Sequence, residues 1–293
     1  MKRIVAFLLI GMLLIICVGC VTITGLSCSV PVRYSNADKY TAGNFTYESD
    51  KVEKVEIEWM SGGITLKNGT GTLSVTESGA DSLSEDEQMH WWLDGKTLKI
   101  KFCKSGYKYV LNQAFNNKKE LTIELPEFVD LDIEVASGKV VAEEQLDLGT
   151  FKVQTASGGM SIGSLSAKEV KVDSASGRTA FGNVAVSAAF DVDTASGGLT
   201  IDRISAGEIN VDSASGGVTI GIDTVEKMKL NSTSGSIHLT LLDKTAGAKV
   251  RFSAVSGSFN TSLSVVNSGE VMTFGNGYTD MEISIVSGSV TME

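Results

Sequence analysis

Histidine, cysteine, proline and basic charge are all in short supply in this 293-residue chain, and most of these shortages remove a class of explanation. The two histidines, His90 and His238, sit in no nucleophile or metal motif, so the sequence points to no catalytic site. The four cysteines fall at 17, 20, 28 and 103, three of them in or beside one apolar run, which is no disulfide framework. Cys28 and Cys103 read as unpaired thiols. Cys17-Val18-Gly19-Cys20 has a zinc-like spacing, but its apolar surroundings make membrane location the better explanation. Lysine and arginine total 25 against 35 acids, a net charge of −10 with no basic stripe, so nucleic acid is not an expected partner. The Gly-Gly-x-Gly-x-Asp calcium repeat is missing, and the residues imply no cofactor and no metal site.

Glycine, by contrast, is abundant, and it recurs in a phrase. Val-Gln-Thr-Ala-Ser-Gly-Gly-Met-Ser-Ile at 153–162 returns as Val-Asp-Thr-Ala-Ser-Gly-Gly-Leu-Thr-Ile at 192–201 and Val-Asp-Ser-Ala-Ser-Gly-Gly-Val-Thr-Ile at 211–220. Corner Ser-Gly pairs begin at 137, 157, 176, 196, 215, 234, 256 and 287, in steps of 20, 19, 20, 19, 19, 22 and 31. A period near 20 signals a solenoid. Before each corner, Phe151/Val153/Thr155, Val170/Val172/Ser174, Phe190/Val192/Thr194 and Ile209/Val211/Ser213 alternate with polar residues, the pattern of a half-buried strand. After it, Met160/Ile162, Leu199/Ile201, Val218/Ile220 and Ile237/Leu239 begin a second strand. So short a connection has no room for a crossover helix, so equivalent strands should stack parallel and in register. No repeat can bury its apolar face alone, and stability must come from its neighbours. The expected fold is all-β, a parallel β-solenoid of about nine two-stranded coils, with an early hairpin insertion.

The Ser-Gly-Gly-Val/Ile/Leu-x-Ile corners resemble the β-strand-repeat putative-adhesin family of unknown function, also called the toast-rack domain. Trp59-Met60-Ser61-Gly62-Gly63-Ile64-Thr65-Leu66 and Leu121-Thr122-Ile123-Glu124-Leu125-Pro126 are similar to its opening coil and its apolar strand ending in proline. The resemblance covers residues 51–293. It implies a membrane-tethered, extracytoplasmic envelope protein, in some cases beside envelope-stress regulators, and carries over no catalytic residue.

The chain begins with Met1-Lys2-Arg3 and then has no charge from Ile4 to Leu26. That segment, 1–28, can be an uncleaved membrane anchor, a lipoprotein signal acylated at Cys20, or a cleaved signal peptide. Lys2 and Arg3 orient the amino end inward, leaving the rest on the extracytoplasmic side. Residues 29–50 read as a linker, 51–293 as the repeat domain, and 77–119 as an irregular insertion. Within that insertion lie an acidic loop at 82–87, a hairpin with its tip at Asp94-Gly95, and a basic, tyrosine-bearing loop from Lys104 to Lys119. The wide late steps place loops around 243–247 and 267–277, and Met281/Ile283/Ile285 and Val290/Met292 form the last strands, leaving an open edge.

Stacking converts positions into columns. Asp173, Asp193 and Asp212 should form an outer acidic ladder with a spacing of about 4.8 Å, able to hold a cation or to serve acid-base chemistry on a polysaccharide, or simply a solvated face. Ser161, Ala180, Thr200, Thr219, His238 and Asn260 should form a flat, nearly uncharged face, the candidate interaction surface for wall polymer or an envelope protein. Inward Thr155, Ser174, Thr194, Ser213 and Ser232 are expected to bond one another or the corner backbone. The leading functional expectation is a non-enzymatic structural or adhesin-like module of the cell envelope, tethered through its N-terminal segment. Alternatives are an accessory or sensor of an envelope-stress response and a carbohydrate-active β-helix enzyme. Edge-to-edge self-association is a further partner expectation.

Overall fold

The computed structural model describes residues 29–69, 71–79, 83–110 and 119–293. The anchor segment and Cys20 lie outside the described residues, and among those described no helix is long and apolar enough to cross a membrane. Among the described residues the regular elements are strands, apart from 3-10 turns at Ala37–Lys39 and Ser49–Lys51. The chain forms two compact units, Met1–Gly158 and Gly159–Glu293.

The first unit runs through β1 (Ser29–Pro31), β2 (Thr41–Ala42), β3 (Phe45–Glu48), β4 (Lys54–Ser61), β5 (Ile64–Asn68), β6 (Thr72–Ser78), β7 (His90–Asp94), β8 (Thr97–Lys101), β9 (Lys108–Val110), β10 (Glu120–Leu125), β11 (Asp130–Ser137) and β12 (Val140–Ser157). Val55, Ile57 and Trp59 of β4 lie beside Leu131, Ile133 and Val135 of β11, while Val55 and Ile57 meet Leu98 and Ile100 of parallel β8 on the other edge. β11 continues to Phe151, Val153 and Thr155 of β12 in the same parallel register. Beside the Gly62-Gly63 corner, β5 pairs in parallel with both β10 and the start of β12. Apolar alternation thus builds the buried side of these strands, as period-two patterning requires.

Residues 29–50, read above as a linker, instead supply three strands: β1 pairs with β9, β2 with β7 and β3 with β6, all antiparallel. Only Phe45 and Tyr47 give β3 an apolar side, too short a run for a strand signal. Both rings pack on Trp91, at centroid distances of 4.1 and 5.5 Å. The insertion does carry the expected β7–β8 hairpin, though Asp94 pairs with Thr97, so the two loop residues are Gly95 and Lys96. Gly95, at φ 62, occupies the first loop position, the place a two-residue turn reserves for positive φ.

The same insertion contains a buried ion pair that its polar sequence conceals. Lys119 and Glu77 each have 1% of the side chain exposed, with Nζ 2.7 Å from Oε1. The ammonium also donates to the carbonyls of Glu87 and Phe102 and lies over the rings of Phe102 and Trp59, 4.0 and 5.3 Å from their centroids. Glu77 Oε2 accepts the backbone N–H of Met89 at 2.9 Å. Burial holds the Lys119 ammonium below the usual lysine range, opposed by the Glu77 carboxylate. Cys103 is buried beside this pair as a free thiol, and burial pushes its pKa up to about 12 despite Lys119. At pH 8 it should therefore resist a thiol-exchange reagent in the native protein and react only on unfolding, since the thiolate is the nucleophile. Rapid native labelling at Cys103, mapped by mass spectrometry, would contradict this burial.

The second unit runs through β13 (Met160–Ser176), β14 (Thr179–Ser196), β15 (Leu199–Ser215), β16 (Val218–Leu241), β17 (Ala248–Thr261), β18 (Val266–Ser268), β19 (Val271–Phe274) and β20 (Thr279–Met292). Val172, Val192, Val211 and Leu230 stand in one file across β13 to β16, all parallel. Each rung pairs along three segments rather than the two expected: 160–162, 164–167 and 169–174 in β13, each with its equivalents in β14. Leu165/Ala167, Val184/Val186 and Ile204/Ala206 are the buried residues of the extra segment. Alanine at two of these inward positions gives so weak an apolar signal that the segment reads as a corner.

Of the two late loops, the first lies where expected and the second does not. Asp243–Gly247 is a turn in which Asp243 Oδ1 accepts the N–H groups of Thr245 and Ala246. The stretch 267–277, expected to be a loop, holds most of an antiparallel β18–β19 hairpin. The terminal strand is not the edge: β20 pairs in parallel with β16 on one side and β17 on the other, so β17 is the outer strand. Charge explains this order. Lys227 and Lys229 of β16 face Asp280 and Glu282 of β20, which in turn face Lys249 and Arg251 of β17. Direct β16–β17 pairing would set cation against cation, which costs stability in a sheet.

A candidate interaction surface

The two outward columns of the second unit follow from this register. Five of the corners turn on a glycine with positive φ, at Gly177, Gly197, Gly216, Gly235 and Gly288. The turns hold successive rungs level, with the N–H of Gly197 donating to Ser215 O and that of Gly216 to Ser234 O. After the corner, Ser161, Ala180, Thr200 and Thr219 lie side by side across β13 to β16. Further along, His238 and Asn260 are not neighbours, because Thr291 of β20 stands between them. The inserted residue is itself small, neutral and half-buried, so it preserves the surface chemistry. His238 Nε2 lies 2.9 Å from Glu293 Oε1, a carboxylate contact at the far end of this column. From Ser161 to Thr219 the column is a shallow, charge-free strip whose side chains rise little above the backbone.

Before the corner, Asp173, Asp193 and Asp212 are adjacent in register, followed by Asn231 and Ser284. They do not form a uniform open ladder. Asp173 is only 7% exposed, with Lys171 Nζ 3.7 Å from its Oδ2. Asn231 Nδ2 donates to Asp212 Oδ1 at 2.7 Å, and one residue pair away Asn210 donates to Asp191. Amides and a lysine thus occupy oxygens that a cation would need. Among the described residues no group of three or more His, Cys, Asp or Glu side chains could hold a metal ion. In the first unit the equivalent position, Glu134, lies beside Glu58, whose other neighbour Lys101 pairs with it. Burial, then the Glu58 and Asp132 carboxylates, raises Glu134 above the usual carboxylate range.

The inward hydroxyls behave differently from expectation. Ser174, Thr194, Ser213 and Ser232 stack in file. Yet the Oγ atoms of Ser174, Ser213 and Ser232, like Thr155 Oγ1 in the first unit, make no hydrogen bond. Rungs about 4.8 Å apart leave aligned hydroxyls beyond the ~3 Å reach of O–H···O bonding, and the ladder already uses the backbone groups.

Sequence reasoning also passed over a cleft of about 780 Å³ in the first unit, lined by Asp50, Glu53, Glu127 and Asp130 around Phe128. Phe128 is 72% exposed and holds φ 62, a left-handed conformation rare for an aromatic residue. Its N–H donates to Asp147 O, which fixes the turn after Pro126. The only advance signal was the Pro-Glu-Phe sequence ending β10.

The chain resembles several solved bacterial structures. A putative adhesin from Bacteroides fragilis is 15% identical, with 85% of this chain and 96% of that one covered and a TM-score of 0.47. A putative adhesin from Parabacteroides distasonis is 10% identical over 89% and 99% of the two chains, TM-score 0.45. A putative cell adhesion protein from Clostridium sporogenes is 13% identical over 87% and 99%, TM-score 0.28. No curated protein matches the chain. The family model described as Toastrack DUF4097 matches residues 41–293, taking in β2 and β3 as well as the whole repeat, and the chain belongs to that family.

Proposed function

We propose that this chain is a non-enzymatic, adhesin-like binding module of the cell envelope, tethered by residues 1–28 on the extracytoplasmic side, its repeats forming a parallel β-solenoid of about nine coils. The observation that carries the reading is the in-register strip Ser161–Ala180–Thr200–Thr219. A rigid backbone holds small, uncharged side chains level there, so a polymer chain or another sheet can lie against it with little desolvation cost. The acidic column supports catalysis less well, because its carboxylates are partly buried or engaged by amides and lysine. The names of the adhesins above agree with the binding reading. Its test is retention of the purified full-length chain on isolated wall and membrane fractions. Wild type should be retained, and A180E/T200E/T219E should be retained at least about tenfold less, because three carboxylates must be stripped of water at the contact. Equal retention of a folded triple variant, or none by wild type, would remove this surface from consideration.

A further inference from the structure

In the second unit, β17 presents an edge whose features converge on one occupant. One side of β17 pairs with β20 from Ala248 to Thr261, but on the other side β19 covers only Ala248 to Arg251. From Phe252 to Thr261 no described strand pairs with the outer edge, so its alternate N–H and C=O groups are open to another strand. The core beneath is unfinished at the same place. Ile283, Ile285, Val290 and Met292 of β20 are 0–4% exposed, whereas the aligned Phe252 and Phe259 are half-buried and Ala254 and Thr261 exposed. Val255, on the outward side, is 83% exposed. Proteins commonly blunt such edges with charge. Here residues 252–269 contain none, between Arg251 and Glu270.

We propose that this edge is a self-association site, at which β17 of a second copy pairs antiparallel across a two-fold axis between Ser256 and Gly257. The axis follows from the corner. Inward residues are 252 and 254 before it and 259 and 261 after it, a set that maps onto itself only about that midpoint. Ala254 then lies opposite Phe259 of the other copy, and Phe252 opposite Thr261, small against large at each of four contacts. The outward residues Val255 and Ser258 face each other in the same register. Charge selects a second copy over an oppositely charged partner: the chain carries −10, so two copies repel except where charge is missing, and this edge offers a charged partner nothing to grip. The pairing joins two open cores and satisfies two open edges, as an isologous interface does.

This association goes beyond the envelope-binding reading and is tested with no envelope fraction present. Purified full-length chain in detergent, examined by analytical ultracentrifugation at micromolar concentration, should sediment as a two-chain species. V255K/S258K sets lysines face to face and should sediment as a single chain. Its circular dichroism should stay unchanged, since both positions are exposed. Mixing it with V255E/S258E should restore the two-chain mass. A single-chain wild type, a V255K/S258K variant that keeps two-chain mass, or a mixture that stays single would each overturn the proposal.

Discussion

Gly216→Ala should destabilise the second unit by about 3 kcal/mol or more, while Gly217→Ala, one residue on, should be nearly neutral. The two glycines look alike in the repeated corner but perform different tasks. A Cβ at Gly216 would lie 1.8 Å from the carbonyl oxygen of Gly197 and 2.7 Å from its carbon, at φ 135. Those are backbone atoms fixed by the parallel ladder, so no side chain can swing away to relieve the contact. The same approach recurs at Gly197 against Gly177 and at Gly235 against Gly216, so successive corners form a tightly stacked backbone column. At Gly217 the added carbon would meet only Ser236 O, at 3.9 Å. Alanine there also restricts the unfolded chain, an effect that favours folding by a few tenths of a kcal/mol. Urea titrations followed by circular dichroism give the comparison: G216A should lower the midpoint sharply and G217A should leave it within error. Equal effects would mean that conformational freedom alone, and not the stacked carbonyl, governs the corner.

The sequence itself distinguishes the two positions. The corners read Gly-Arg at 177–178, Gly-Ser at 235–236, Gly-Ser at 257–258 and Gly-Ser at 288–289, so the first glycine persists while the second gives way to larger residues. Repetition made the rest of the rung legible in the same manner: Val172, Val192 and Val211 alternate with polar neighbours and stack as that alternation requires. The third pairing segment is not legible, because Ala167 and Ala206 take two of its six inner positions and Ser166 and Ser205 lie beside them, a pattern with little hydrophobic contrast. Strand order at the carboxyl end lay in charge rather than hydropathy. Lys227-x-Lys229, Lys249-x-Arg251 and Asp280-x-Glu282 are one acidic and two basic pairs, and only the acidic strand in the middle avoids a like-charge contact. Period-two reading by itself favours chain order, which leaves β20 as the open edge. For the interaction strip, register was readable from the repeat as far as Thr219, and failed at His238 because the same misplacement hid Thr291.

Lys119→Ala is expected to destabilise the first unit by 3–5 kcal/mol, the range for removing one partner of a buried ion pair. The alternation of two strands accounts for the pair once their register is known. Leu73, Val75 and Glu77 share one side of β6, and Lys119 shares the inward parity of Leu121, Ile123 and Leu125 in β10. Opposite charges are therefore carried into the core by strands that run antiparallel beside each other, with Leu121 paired to Glu77. Truncating the lysine leaves the Glu77 carboxylate with the N–H of Met89 as its remaining donor and removes the cation from the Phe102 and Trp59 rings. It also removes the ammonium's hydrogen bonds to the Glu87 and Phe102 carbonyls, which tie the irregular segment between β6 and β10 to the core. Glu77→Leu combined with Lys119→Met fills similar volume without charge, and should recover most of the loss measured for Lys119→Ala, because neither ion then needs desolvation. Thermal and urea unfolding of the two variants separate the accounts. If the double variant is as unstable as Lys119→Ala, the tether to the two carbonyls and the rings, rather than the unpaired carboxylate, is what the lysine provides. If Lys119→Ala itself costs under about 1 kcal/mol, the pair has the worth of a surface contact.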